Sequence, residues 1–169
     1  MAVYWLTGFS GAGKTTIGED LYNRFLTKGK LVVFLDGDQL RTFMGEHKGY
    51  DKSSRKILAN RYSRLCKLLS DQGVNVVIAT ISMFHDVHKW NRENIDNYVE
   101  IYIKVPLNIL IERDQKGLYS SNQTNVAGFN DQYEEPCDPD IILVNDNSHS
   151  PSKMTDQLES LIKEANLSI

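Results

Sequence analysis

Gly8, Gly13, Lys14 and Thr15 fill the pattern G-x-x-x-x-G-K-[ST] within GFSGAGKTT, residues 8–16. Residues of these types at this spacing make a phosphate cradle. Glycines let backbone N–H groups turn inward without Cβ clashes, the lysine reaches β- and γ-phosphates, and the threonine hydroxyl can hold Mg²⁺. A helix N-terminus behind the loop adds a favourable dipole. The expected phosphate-side residues are Gly8, Ser10, Gly11, Ala12, Gly13, Lys14, Thr15 and Thr16, with Thr15 the metal-side hydroxyl. A second cluster stands in LDGDQLR, residues 35–41, where Asp36 and Asp38 form an Asp-x-Asp pair. Phosphoryl transfer needs charge neutralisation by Mg²⁺ and a carboxylate that orients or deprotonates the attacking hydroxyl. The plainer alternative is that one aspartate caps a helix starting near Gln39.

These groups need elements to hold them. Apolar runs recur at 3–7, 31–36, 74–81, 99–105 and 140–144, each followed by a helical pattern. Continuous rather than alternating apolarity suits parallel strands covered on both faces. Helical stretches are expected near 14–28, 54–72, 87–96, 106–113 and 152–166, with Pro106 in a first turn and Gly29 and Gly73 at C-terminal caps. Five parallel strands with helices on both sides give a three-layer α/β fold, in which ligands sit beyond the carboxyl ends of the strands. Residues 114–138 break the rhythm with a long polar stretch holding Gly, Asn and Pro, and read as a lid over the crevice.

A chain of 169 residues fits one domain with a single sizeable core. Its 41% hydrophobic and 24% charged content is ordinary for a globular protein. The net charge of −3 leaves no broad basic field for nucleic acid or an anionic membrane, and no run approaches a membrane span. The N-terminal apolar run enters the phosphate loop too soon for a signal peptide, so a cytoplasmic location is expected. Cys66 and Cys137 fit no metal spacing and read as buried free thiols. His85 and His88 lack a third ligand at zinc spacing. No N-K-x-D pattern supports a guanine-reading switch, and a module that binds nucleotide without transfer is set against Lys14, Asp38, Arg113 and Lys116 together.

GFSGAGKTT, DGDQLR, GYDKSSR (49–55), ATIS (79–82), ERDQKGLY (112–119) and AGFNDQYEEP (127–136) together resemble the adenylylsulfate kinases, in the same order and at nearly the same spacings. The resemblance covers about residues 2–145 and implies a P-loop kinase fold. It also implies transfer of the γ-phosphoryl of ATP to the ribose 3′-hydroxyl of a small nucleotide acceptor; a homodimer is among the assemblies it allows. Residue by residue, it implies that Asp38 contacts the ribose hydroxyl, with Asp36 beside it, and that Arg41 and Arg55 hold the acceptor's phosphates. Tyr50, standing where that family has Phe, and Phe129 would sandwich the base. Arg113 and Lys116 would neutralise the transferring group. Ile81, Ser82, His85 and Leu118 complete the implied acceptor side. Ser82 matches a serine discussed in that family as phosphorylated, although in-line transfer needs no covalent step.

The departures from the family's usual form are Ser54, Leu58, Asn60, Met83, Phe84, His85, Gln115 and Ala127. Apart from Gln115 in the lid motif, they are expected to lie on the acceptor side, leaving the ATP side intact. An unchanged donor with a changed acceptor is also the profile of the related cytidine diphosphoramidate kinases, which act in capsular phosphoramidate assembly. The resemblance therefore implies cytidine diphosphoramidate as acceptor, with adenylylsulfate as the alternative.

Overall fold

The first strand, β1 (Val3–Thr7), is buried at every position and lies at the centre of a five-stranded sheet. The structure is a computed structural model and describes residues 1–45, 51–113 and 133–167. The other strands are β2 (Val32–Asp36), β3 (Asn75–Ala79), β4 (Tyr98–Lys104) and β5 (Ile141–Val144). Their order is β2-β3-β1-β4-β5, with every pair parallel. The register sets Leu6 beside Ala79 and Thr7 beside Tyr102, so β1, β3 and β4 end close together. That common edge receives the phosphate loop.

Six helices are described: α1 (Lys14–Thr27), α2 (Gly37–Phe43), α3 (Lys52–Asp71), α4 (His85–Asn94), α5 (Leu107–Arg113) and α6 (Pro151–Glu164). Alternation along β1 divides the core in two. Tyr4 and Leu6 join Ile17, Leu21 and Phe25 of α1 and Leu158 of α6 on one face. Val3 and Trp5 join Leu58, Ala59 and Tyr62 of α3 and Val87 of α4 on the other. The expected three-layer α/β architecture is observed.

Several element ends differ from the sequence pattern for identifiable reasons. The apolar run 74–81 leaves the sheet after Ala79, because Ser82 turns at φ +26° and its hydroxyl pairs with that of Thr80 at 2.7 Å. Helix α2 is separate, and its N-cap is Asp36, which accepts from the N–H groups of Asp38 and Gln39. Helix α3 starts at Lys52 because Asp51 caps it, accepting from the backbone of Ser53 and Ser54 at 3.0 Å each. These bonds, led by those from the serine hydroxyls, hold the Asp51 carboxyl well below the usual carboxylate range. Helix α4 begins at His85, whose N–H donates to the Glu134 carboxylate at 2.8 Å. Pro106 precedes α5 rather than lying within its first turn. Gly29 and Gly73 do end α1 and α3 at positive φ. Strand β5 alternates instead of being covered on both faces, since it is an edge with Ile142 and Val144 exposed. Cys66 is buried as expected, but Cys137 is exposed in the irregular segment before β5. Among the described residues no helix is long and apolar enough to cross a membrane.

Helix α6 closes the layer over β1 through Met154, Leu158 and Ile162, and Arg24 of α1 pairs with Glu159 at 3.0 Å. Removing the fully buried Leu158 side chain takes away its burial and leaves a cavity. Leu158→Ala should therefore lower unfolding free energy by about 2–5 kcal/mol in urea titrations.

Candidate active site

The phosphate loop is shaped by backbone that only glycine tolerates. Gly8 has φ +150°, and a Cβ there would lie 2.5 Å from the Ile103 carbonyl oxygen of β4. Gly13, the N-cap of α1, has φ +94°, and a Cβ there would come within 2.9 Å of the Asn145 amide nitrogen. No side chain caps α1 among the described residues, so its first N–H groups and positive dipole end line the loop. Lys14 is only 9% exposed, and its ammonium donates to the Phe9 carbonyl at 2.6 Å across the loop. Ala12 is buried, whereas Thr15 and Thr16 face outward.

The acidic turn is joined directly to this loop. Thr15 Oγ1 donates to Asp36 Oδ2 at 2.8 Å, while Asp36 Oδ1 accepts from the N–H groups of Asp38 and Gln39 at 2.9 and 3.1 Å. Asp36 is thus both helix cap and loop partner, which leaves Asp38 as the acidic side chain in the first turn of α2. Tyr62 supports the turn from α3 by donating to the Gly37 carbonyl at 3.0 Å. Thr15 and Asp36 present adjacent hard oxygen donors, the type that Mg²⁺ prefers.

Arg41 of α2 and Arg55 of α3 approach each other across the next part of the crevice. Burial, and after it the positive charge of Arg41, pulls the Arg55 guanidinium below its ordinary range. Two guanidiniums held close would be relieved by an anion between them. Beyond β3, the Ile81 carbonyl accepts from Thr7, Ile81 itself is partly buried, and Ser82 is 8% exposed. His85, at the start of α4, meets the segment that returns toward β5, with Nε2 2.8 Å from the Glu135 carbonyl and 3.2 Å from Cys137 Sγ. His85 and His88 do not form a metal pair: His88 is buried and faces Glu100. Among the described residues no group of three His, Cys, Asp or Glu could hold a metal ion.

Two of the departures from the family form are buried in the core, and a third bonds within its own helix. Leu58 and Met83 are 3% and 2% exposed within the hydrophobic core, and the Asn60 amide donates to the Lys56 carbonyl of its own helix. Ser54 completes the cap of α3, its hydroxyl donating to Asp51 Oδ2 at 2.7 Å. Tyr50, Lys116, Leu118, Ala127, Phe129 and most of the expected lid lie outside the described residues.

Arg113 closes the opposite side. It donates from Nη1 to the Gly11 carbonyl and from Nη2 to Asn145 Oδ1, each at 3.0 Å, and from Nε to Asn147 Oδ1 at 3.2 Å. Asn145 in turn donates to the Ala12 carbonyl at 2.9 Å. Neither asparagine is anticipated by the motifs, although the polar run NDNS directly after the last apolar strand was the available signal. Residues there stand at the carboxyl edge where ligands collect.

The family model for adenylylsulphate kinase matches residues 1–144. The chain belongs to the adenylylsulfate kinase family. It is accordingly a nucleotide kinase, a phosphotransferase with a hydroxyl acceptor. Among its relatives, the cytidine diphosphoramidate kinase of Campylobacter jejuni is 39% identical over 96% of this chain and 95% of its own length. The adenylyl-sulfate kinase of Rippkaea orientalis is 38% identical over 81% of this chain and 78% of its own length. The Mycobacterium tuberculosis APS kinase, solved in complex with AMPPNP and APS, superposes with a TM-score of 0.86 at 27% identity, covering 96% and 97% of the two chains.

Asn145 ties the Ala12 carbonyl to Arg113, so truncating it frees two partners beside the phosphate loop. Asn145→Ala should weaken nucleotide binding by roughly 5- to 30-fold, equivalent to about 1–2 kcal/mol. Isothermal titration with a non-hydrolysable ATP analogue reads the change.

Proposed function

We propose that the protein transfers the γ-phosphoryl group of ATP to the ribose 3′-hydroxyl of a nucleotide 5′-diphosphate derivative, with cytidine diphosphoramidate as the acceptor. The observation that carries the transfer geometry is the Thr15–Asp36 hydrogen bond, which joins the phosphate loop to the turn bearing Asp38. The acceptor assignment is supported by the 39%-identical relative of that name.

In this reading Gly8, Ser10, Gly11, Ala12, Gly13 and Thr16 cradle the phosphates of ATP, and Lys14 places its ammonium on the β- and γ-phosphates. Thr15 and Asp36 would hold Mg²⁺, whose charge offsets that developing on the phosphoryl oxygens. Asp38 orients the acceptor hydroxyl and accepts its proton as the new P–O bond forms. Arg41 and Arg55 grip the acceptor's phosphate bridge through the planar fork that suits such oxygens. Arg113, with Lys116, neutralises the transferring group. Tyr50 and Phe129 stack on the base, while Ile81, Ser82, His85 and Leu118 border the acceptor. The Ser82 hydroxyl is buried against Thr80, and direct in-line transfer makes no use of it as a carrier.

Adenylylsulfate is the second acceptor to weigh, because the M. tuberculosis neighbour was solved with APS bound. Purified protein with ATP and Mg²⁺, given each acceptor in parallel while ADP release is followed, separates the two. Cytidine diphosphoramidate should be favoured more than about tenfold in kcat/KM, equivalent to at least about 1.4 kcal/mol of transition-state discrimination. Adenylylsulfate turned over within that margin, or better, would contradict the assignment and leave the other family activity in its place.

A further inference from the structure

Ser82 is the point where the chain leaves β3 for α4, and it holds φ at +26°, a conformation that costs a side-chain-bearing residue energy. Its carbonyl is gripped twice. It accepts from the Phe84 N–H at 3.1 Å and from Nε2 of His88, one turn into α4, at 2.9 Å. Because a carbonyl can only accept, Nε2 carries the hydrogen. The other ring nitrogen, Nδ1, stands 3.0 Å from Glu100 Oε1, close as an ion pair but without the alignment of a hydrogen bond.

His88 and Glu100 are 5% and 2% exposed, so the carboxylate sits within the sheet interior, on β4. Its second oxygen meets Arg92 at 3.2 Å, and Arg92 meets Asp140 at 3.2 Å and the Asp138 carbonyl at 2.6 Å. Asp140 accepts from the Glu100 N–H at 2.7 Å, which closes the chain of contacts onto the start of β5. The Trp5 ring lies edge-on to the imidazole at 6.5 Å. Arg92 and Asp140 fix Glu100 in place, and its Oε1 stands against the Nδ1 edge of the imidazole, which limits the ring's orientation. None of His88, Arg92, Glu100 or Asp140 takes part in the transfer chemistry above.

We propose that His88 is a positioning residue for the acceptor: held by Glu100, it pins the Ser82 carbonyl and keeps the Ile81–Ser82 backbone in the strained turn bordering the acceptor. The proposal rests on the reading that residues 81–85 border the acceptor. The phosphate loop's own bonds come from Lys14, Asn145 and Arg113, and the one bond between the turn and the residue before Gly8, from Thr7 to the Ile81 carbonyl, does not involve His88. Loss of His88 therefore loosens acceptor binding and leaves nucleotide binding in place.

His88→Leu and His88→Gln test this, since leucine cannot donate and glutamine carries an N–H that can reach the Ser82 carbonyl. With whichever acceptor the wild type turns over, His88→Leu should raise acceptor KM by about tenfold or more while ATP KM stays within about twofold. His88→Gln should recover acceptor KM to within about threefold of wild type. Equal loss toward both substrates, or an unchanged acceptor KM in His88→Leu, would reduce the network to a folding device and overturn the proposal. Should His88→Leu not fold, ¹⁵N spectra of the wild type decide without turnover. The protected His88 Nε2–H resonance should move on adding the acceptor nucleotide and stay put with ADP alone. A resonance that ignores the acceptor, or is absent through rapid exchange, overturns the proposal too. If no acceptor is turned over at all, the proposed function fails by itself, and the response of the resonance to each nucleotide still judges His88.

Discussion

One carboxylate joins the two halves of the crevice. Asp36 accepts from Thr15 of the phosphate loop with one oxygen and caps α2 with the other. The cap itself is worth about 1 kcal/mol, a modest contribution to stability. Its larger consequence is geometric, because α2 carries both Asp38 and Arg41 and cannot swing away from the loop while Asp36 holds it. Parallel strands ending at one edge make this possible. The register that puts Leu6 beside Ala79 and Asp36 beside Ala79 brings three connections to one line.

The remaining restraints act on the other flank and underneath. Gly8 and Gly13 let the loop pack against the Ile103 carbonyl and Asn145 at distances that any side chain would violate. Arg113, Asn145 and Asn147 then stitch α5 and the segment after β5 to the loop's carbonyl side. The loop's inward N–H groups and the end of α1 stay directed at the phosphate space. An anion bound there meets a rigid cradle, which lowers the reorganisation needed for transfer.

Much of this was legible in the residues. Continuous apolar runs gave the parallel sheet, and GFSGAGKTT gave the loop, because glycine at positive φ and lysine at a helix start leave little else to be built. What stayed hidden depended on long-range partners. The cap by Glu134 on α4 spans 49 residues, and the role of Asn145 appears only when β5 is set beside β4. The meaning of the departures from the family form was also hidden. Leu58 and Met83 read as lost acceptor contacts, yet both are core residues, Leu58 packed with Leu40 of α2 and Val87 of α4, and Met83 on the opposite face with Phe9 and Ala12 of the phosphate loop. An apolar departure from the family form is ambiguous in a sequence for that reason. It is decided only by which way the side chain points.

Asp36 serves Thr15 and the α2 cap, and the proposed transfer assigns the acceptor hydroxyl to Asp38. Asp38→Asn keeps the shape and removes the negative charge. Steady-state kinetics of that variant, combined with its ATP-analogue affinity, test the division of labour most directly. The expected result is a kcat lower by about 10²-fold or more, with nucleotide affinity within about threefold of wild type. A variant that keeps kcat while losing nucleotide affinity would place Asp38 on the phosphate and metal side and contradict the assignment of the two aspartates.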